Sequence, residues 1–97
     1  MTTKMIYRRR LLAETKLINQ RVNGNRIGYW ERYYLNDNLR HKGSYNNDGQ
    51  KIGYWEYYHD NGNLYYKGNF NNDGRQIGKW EYYYENGNLE EIINYDN

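Results

Sequence analysis

A gapless 25-residue period, running from Ile27 to the C-terminus, constrains this chain more than any other feature. Ile27-Gly28-Tyr29-Trp30 returns as Ile52-Gly53-Tyr54-Trp55 and as Ile77-Gly78-Lys79-Trp80. Asn38-Leu39 returns as Asn63-Leu64 and Asn88-Leu89, and Lys42-Gly43-Ser44-Tyr45 as Lys67-Gly68-Asn69-Phe70. The linker Asn46-Asn47-Asp48-Gly49 returns as Asn71-Asn72-Asp73-Gly74. A fixed period of this length means stacked supersecondary units, none of which buries its own face alone. The expected organisation is a single repeat domain over 1–97, with hairpin units at 27–51, 52–76 and 77–97 and a basic, degenerate N-terminal cap at 1–26.

Each unit reads as a β-hairpin, which makes the chain all-β. Asn61-Gly62 and Asn86-Gly87 predict two-residue type I′ turns, where both central residues need positive φ; Asn36-Asp37 is a weaker, compatible pair. The flanking segments carry Trp, Tyr, Ile and Leu, residues that suit a pleated, half-buried surface. Two-residue turns set a register in the middle unit: His59 opposite Leu64, Tyr58 opposite Tyr65, Tyr57 opposite Tyr66, Glu56 opposite Lys67 and Trp55 opposite Gly68. Glu56–Lys67 and Glu31–Lys42 are then cross-strand ion pairs. An indole lying across a residue without a side chain explains why a strand-weakening glycine recurs opposite Trp30 and Trp55. The third unit departs after Leu89, where Ile92 and Ile93 face Glu81 and Trp80. Upstream, Asn23-Gly24-Asn25-Arg26-Ile27-Gly28 repeats the linker pattern, so a degenerate capping hairpin is expected before it. A helix with Tyr7, Leu11 and Ile18 near one face is the alternative.

Composition decides between a folded and a disordered chain. Ile, Leu, Val and Phe number only 16, but 14 Tyr and 3 Trp supply large apolar faces that disordered segments lack. The core should therefore be aromatic. The net charge of +2 conceals a balance of +6 over residues 1–26 and −4 over residues 27–97, a basic arm on an acidic body. No cysteine is present, which removes disulfides and thiolate chemistry and points to a reducing, cytoplasmic location. The apolar run after Arg8-Arg9-Arg10 is too short for a signal peptide, and no segment has the length of a membrane span.

Catalytic constellations are weak. Ser44 sits at a position that the next units fill with Asn69 and Asn94, and His41 and His59 occupy unrelated positions filled elsewhere by Tyr66 and Tyr84. Neither Glu90-Glu91 nor Glu56-Asp60 has a pattern that would raise one carboxyl pKa and spare the other. The Asn-Asn-Asp-Gly linkers have too few charged oxygens for calcium and are ordinary turn sequences. The expectation is a protein without enzymatic activity, metal or cofactor.

The run Gly-x-Trp-x-x-Tyr, then Asn-Gly-x-Leu, then Gly-x-Tyr/Phe resembles the MORN-repeat variant family over residues 22–97. The matching positions are Gly28, Trp30, Tyr33, Leu39, Gly43 and Tyr45, with their equivalents in later units; all are scaffold positions. The resemblance implies an elongated, twisted, largely single-layer antiparallel sheet of tandem hairpins. It also implies protein interaction or scaffolding, and for some members association with membrane lipid. Bacterial members are commonly labelled antitoxin-like, and others occur in viruses and eukaryotes.

Tyrosines fall on both strand parities, so one face can form the core while the other presents a tyrosine stripe suited to binding. Both faces merely stabilising a thin sheet is the plainer alternative. The candidate contact residues are Tyr29, Tyr33, Tyr54, Tyr58, Tyr65 and Tyr83; Trp30, Trp55, Trp80, Leu39, Leu64 and Leu89 should be scaffold on the opposite face. A protein partner with a basic surface, engaged by the acidic body of an antitoxin-like inhibitor, is the first expectation, and self-association to a homo-oligomer the second. The basic arm (Arg8, Arg9, Arg10, Arg21 and Arg26) offers contacts to nucleic acid or anionic lipid as weaker alternatives.

Overall fold

The computed structural model describes residues 11–12 and 16–95. Every regular element among them is a strand: β1 (Leu11–Leu12), β2 (Lys16–Leu17), β3 (Gln20–Val22), β4 (Asn25–Tyr33), β5 (Leu39–Tyr45), β6 (Lys51–Tyr58), β7 (Leu64–Phe70), β8 (Gln76–Tyr83) and β9 (Leu89–Tyr95). β1 and β2 form a small antiparallel ladder of their own, so the helix considered for this stretch does not form between Lys16 and Val22. β3 to β9 form one open seven-stranded antiparallel sheet in chain order.

The turns differ from the expected kind, and the difference decides which side chains share a face. His59 N–H donates to the Asn63 carbonyl and Gly62 N–H to the His59 carbonyl. This closes a three-residue loop, Asp60-Asn61-Gly62, in which only Gly62 takes a left-handed conformation (φ 95°). It is a type I turn followed by a bulge, not a type I′ turn. The two-residue geometry occurs instead at Asn23-Gly24, where both φ values are positive and Val22 faces Asn25. The Asn-Asn-Asp-Gly linkers adopt the three-residue form as well, with Asn46 N–H bonded to the Gln50 carbonyl and Gly49 N–H to that of Asn46. Linkers and hairpin tips are thus the same turn, and the sheet is a continuous meander.

The extra turn residue shifts the register. Trp55 faces Gly68, Glu56 faces Lys67 and Tyr57 faces Tyr66 as expected, but Tyr58 faces Leu64 rather than Tyr65. Tyr33 likewise faces Leu39, and Tyr83 faces Leu89. Directly paired residues share a face. Leu39, Leu64 and Leu89 therefore stand with the tyrosines and not, as the simple register required, with the tryptophans.

The tryptophans make the core. Between the pairs Lys42–Glu56 and Ser44–Ile52 the register jumps, so that Gly53, Tyr54 and Trp55 together oppose Gly43. This bulge turns on Gly53, whose φ of 70° few side-chain-bearing residues tolerate. It brings the Trp55 indole onto Gly43 of the preceding hairpin: a Cβ built there would lie 2.1 Å from Trp55 Cδ2, and one built on Gly68 would lie 2.2 Å from Trp80 Cδ2. The indole thus covers the glycine of the neighbouring hairpin, not the Gly68 that faces Trp55 within its own. Ile93 can therefore stand opposite Trp80, whose indole packs on Gly68 of the preceding hairpin. Indole N–H groups are spoken for too, Trp55 Nε1 donating to the Ser44 and Ile52 carbonyls and Trp80 Nε1 to that of Asn69, each at 3.1 Å. Tyr45 meets Trp55 edge-on at 5.0 Å, and Phe70 meets Trp80 at 5.1 Å.

The first junction is built differently, because Ile18 occupies the place of Gly43 one period earlier. Ile18 and Asn19 are both buried. Asn19 adopts a φ of 60°, and its Oδ1 accepts the Glu31 N–H at 2.8 Å. Trp30 donates to the Gln20 carbonyl at 2.9 Å and lies under the guanidinium groups of Arg26 and Arg21, 4.8 and 5.3 Å from the ring centre.

The close approach at Gly68 has a measurable consequence. Gly68→Ala should lower stability by about 1–3 kcal/mol through overpacking, read from urea denaturation midpoints. Trp80→Ala should cost about 3–5 kcal/mol. In the double variant the two losses should fall well short of additivity, since the added methyl then has no indole to meet.

Candidate functional site

The face opposite the tryptophans is organised by three glutamates. Residues i, i+2 and i+4 of a strand project to one side, which places Tyr29, Glu31 and Tyr33 of β4 in a line. Tyr54, Glu56 and Tyr58 form the matching line on β6, and Lys79, Glu81 and Tyr83 that on β8. In each line the central carboxylate is gripped from both sides. Tyr29 donates to Glu31 Oε2 at 3.0 Å and Tyr33 to Glu31 Oε1. Tyr54 and Tyr58 donate to Oε2 and Oε1 of Glu56 at 2.9 and 2.6 Å. Tyr83 donates to Glu81 Oε1 at 2.7 Å, while Lys79 takes the other oxygen at 3.2 Å. Lysines of the intervening strands tie the lines together: Lys42 Nζ lies 3.4 Å from Glu56 and Lys67 Nζ 3.5 Å from Glu81. Glu56 faces both Lys42 and Lys67 in the register, and its ion pair is made with Lys42 of the preceding hairpin rather than with Lys67.

These contacts set the ionisation of the face. Partial burial works against the Glu56 carboxylate, but the hydroxyls of Tyr58 and Tyr54 and the charge of Lys42 outweigh it and hold its pKa below the ordinary value. The same bonds act in reverse on the phenols. Burial and then the hydrogen bond to Glu56 push Tyr54 up to about 12, and raise Tyr58 as well. Tyr29 is raised by burial and by Glu31.

Among these tyrosines Tyr54 stands out. It is 48% exposed, whereas Tyr29, Tyr33, Tyr58 and Tyr83 are half-buried. Its ring separates two hollows. One, of about 220 Å³, is lined by Tyr29, Lys42, Gly43 and Glu56; the other, of about 200 Å³, by Lys67, Gly68, Asn69, Lys79 and Glu81. The arrangement offers aromatic contact area and hydrogen-bonding groups at fixed positions.

The remaining candidates lie elsewhere. Tyr65, 41% exposed, falls on the turn bulge and leaves the row; its ring stacks on His59 at 4.2 Å. Arg21 and Arg26 flank Trp30, and Arg26 also donates to the Tyr45 hydroxyl at 3.2 Å. Arg8, Arg9 and Arg10 lie outside the described residues. Two features escaped sequence reasoning. Lys51 takes the place of Arg26 in the second unit, its ammonium 5.1 Å from the rings of both Trp55 and Tyr57. The hairpin tips also interlock, with Asn36 and Asn38 donating to the Asp60 carbonyl and Asn61 and Asn63 to that of Glu85. The recurrence of Asn two residues apart, at 36/38, 61/63 and 86/88, was the available signal.

A phenol whose pKa is raised in the folded state contributes stability that is complete below the unfolded value near 10 and is lost as pH rises through the folded value. For Tyr54 that window runs from 10.0 to about 12. Stability followed by circular dichroism should fall over this range, with phenolate absorbance at 295 nm rising later than in the unfolded chain.

The comparisons with known proteins agree with this architecture. The profile of the MORN repeat variant matches residues 26–47, 51–72 and 76–97. No curated protein and no solved structure gives a significant match. Three matched stretches, each spanning one tryptophan strand, its turn and the returning strand, make this chain a member of the MORN repeat variant family.

Proposed function

We propose that this protein binds a protein partner through its tyrosine face, with Tyr54 at the centre of the contact. MORN repeats are in general non-catalytic modules that bind proteins or membranes. One observation carries the choice of face: Tyr54 is half-exposed, yet its hydroxyl is fixed on Glu56 and its ring stands between two hollows. A ring already held in place loses little conformational entropy on binding, and its large area favours it as an anchor. Each hollow has room for one apolar side chain of the partner.

Charge refines the reading. The carboxylates of the face are held by phenols, and those of Glu56 and Glu81 are also paired with lysines, while further acid stands in the loops at both ends and at Glu90 and Glu91 on β9. Asp37, Asp60 and Glu85 lie in the three loops at one end, and Asp48 and Asp73 in the two at the other. A partner with an apolar centre and a basic rim fits this distribution. That supports an antitoxin-like, inhibitory role in which a basic surface of the partner is covered. Self-association is a second reading, favoured by β9: it is the last strand of the open sheet, and Leu89 and Ile92 on it are 51% and 45% exposed.

For the first reading, a protein recovered with the tagged full chain should bind Tyr54→Ala at least tenfold more weakly, with the circular dichroism spectrum unchanged. Undiminished binding of that protein to the variant would contradict it, as would recovery of RNA or anionic vesicles alone. For the second, light scattering should give a multimer that Ile92→Lys converts to monomer; a monomeric mass for the native chain at high concentration would remove it.

A further inference from the structure

A third hollow lies at the tips of the first two hairpins, apart from Tyr54, and holds about 320 Å³. Its walls are aromatic. Tyr57 and Tyr66 stack at 4.2 Å, Tyr65 meets Tyr66 edge-on at 4.8 Å, and Tyr34 closes another side. Two nitrogen-bearing groups join them. The Arg40 guanidinium lies over the Tyr34 ring at 5.5 Å, and among the described residues no carboxylate pairs with it. His41 lies against the rings of both Trp55 and Tyr57, at 5.6 and 5.4 Å, and its Nδ1 is buried without a hydrogen-bond partner. Burial, and then the positive charges of Lys51, Arg32, Arg40 and Arg26, lower the His41 pKa to about 4, so the ring is neutral near pH 7.

The repeat does not require this cleft. Its lining falls where the units diverge: Arg40, Tyr65 and Glu90 are equivalent positions, as are His41, Tyr66 and Glu91. At the corresponding junction of the second and third hairpins, Glu90 and Glu91 replace the two tyrosines and no arginine replaces Arg40. By contrast, Trp30, Trp55 and Trp80 and the bulge glycines Gly28, Gly53 and Gly78 are the same in all three units. Divergence, a hollow and a buried unbonded ring nitrogen thus coincide at one place.

We propose that this cleft binds a small aromatic anion, a planar ring bearing a phosphate or carboxylate. The volume lies within the range of small-molecule sites, roughly 300–1,000 Å³. A planar ring can pack in offset or edge-to-face fashion against the tyrosines. The Arg40 fork matches two oxygens of a phosphate or carboxylate.

Titration of the full ¹⁵N-labelled chain tests this, with phenyl phosphate and benzoate as ligands and phenol and inorganic phosphate as their separate halves. Phenyl phosphate or benzoate should shift the amides of Arg40, His41, Tyr65 and Tyr66 saturably, at least tenfold more tightly than either half, and the stronger of the two names the anionic group. Arg40→Gln and Tyr65→Ala should each weaken binding at least tenfold, whereas Tyr54→Ala should leave it unchanged; the last result separates this site from the protein-binding face. Arg40→Lys, which keeps the charge but not the fork, should bind weakly. The proposal is overturned by shifts that do not saturate or lie elsewhere, by inorganic phosphate alone binding as tightly, or by full affinity in Arg40→Gln.

Discussion

The contact between a tryptophan ring and the backbone of a glycine one hairpin away is what the rest of this sheet depends on. A single layer of β-structure has no second layer to bury its apolar face against. Here the chain makes its own cover. Trp55 on Gly43 and Trp80 on Gly68 bury an indole fully against a strand that has no side chain at that point. Both need the same two concessions, a bulge at Gly53 or Gly78 that moves the tryptophan back over its neighbour, and a glycine to receive it. The Lys-Gly of one hairpin and the four-residue motif Ile-Gly-x-Trp of the next are therefore two halves of one joint.

Because one face carries the joints, the other is relieved of forming the core. Its tyrosines are ordered by a cheaper device, a glutamate between two phenols, reinforced by a lysine from the neighbouring strand. Exposed ion pairs contribute little to stability, so the importance of these groups lies in position. They hold tyrosine rings upright at the spacing of alternate strands. The lysines offset the charge of Glu56 and Glu81, and further negative charge stands in the loops and at Glu90 and Glu91 on β9. A face with an apolar centre and acid at both ends follows from this division.

Much of this was legible in the sequence. The period gave the hairpins, and the pairings Trp55–Gly68, Glu56–Lys67 and Tyr57–Tyr66 followed from the position of Asn61-Gly62. What failed was the last residue before each turn. An Asn-Gly pair serves a type I′ turn or the end of a type I turn with a bulge, and the two differ by one residue in register. That one residue moved Leu39, Leu64 and Leu89 to the tyrosine face and took Tyr65 out of it. The partner of each indole was also misplaced. Strand parity fixes the face of a side chain but not which neighbouring strand it leans towards. Ile93 opposite Trp80 was the hint, since a tryptophan that needed the glycine of its own hairpin would not tolerate it. The hydroxyl bonds within Tyr-x-Glu-x-Tyr were missed because tyrosines were read singly, as contact residues, rather than with the glutamate between them.

If the indole–glycine joints bind hairpin to hairpin as firmly as the turns bind strand to strand, the sheet should open as one body. Native-state hydrogen exchange tests this directly, by comparing amides in the ladders between hairpins, β5–β6 and β7–β8, with those inside hairpins, β6–β7 and β8–β9. Equal opening free energies for the β5–β6, β6–β7 and β7–β8 ladders, all rising to the global value, are the predicted result. Intact hairpins that separate from one another, with the β5–β6 and β7–β8 amides exchanging at a much lower free energy than their neighbours, would contradict it.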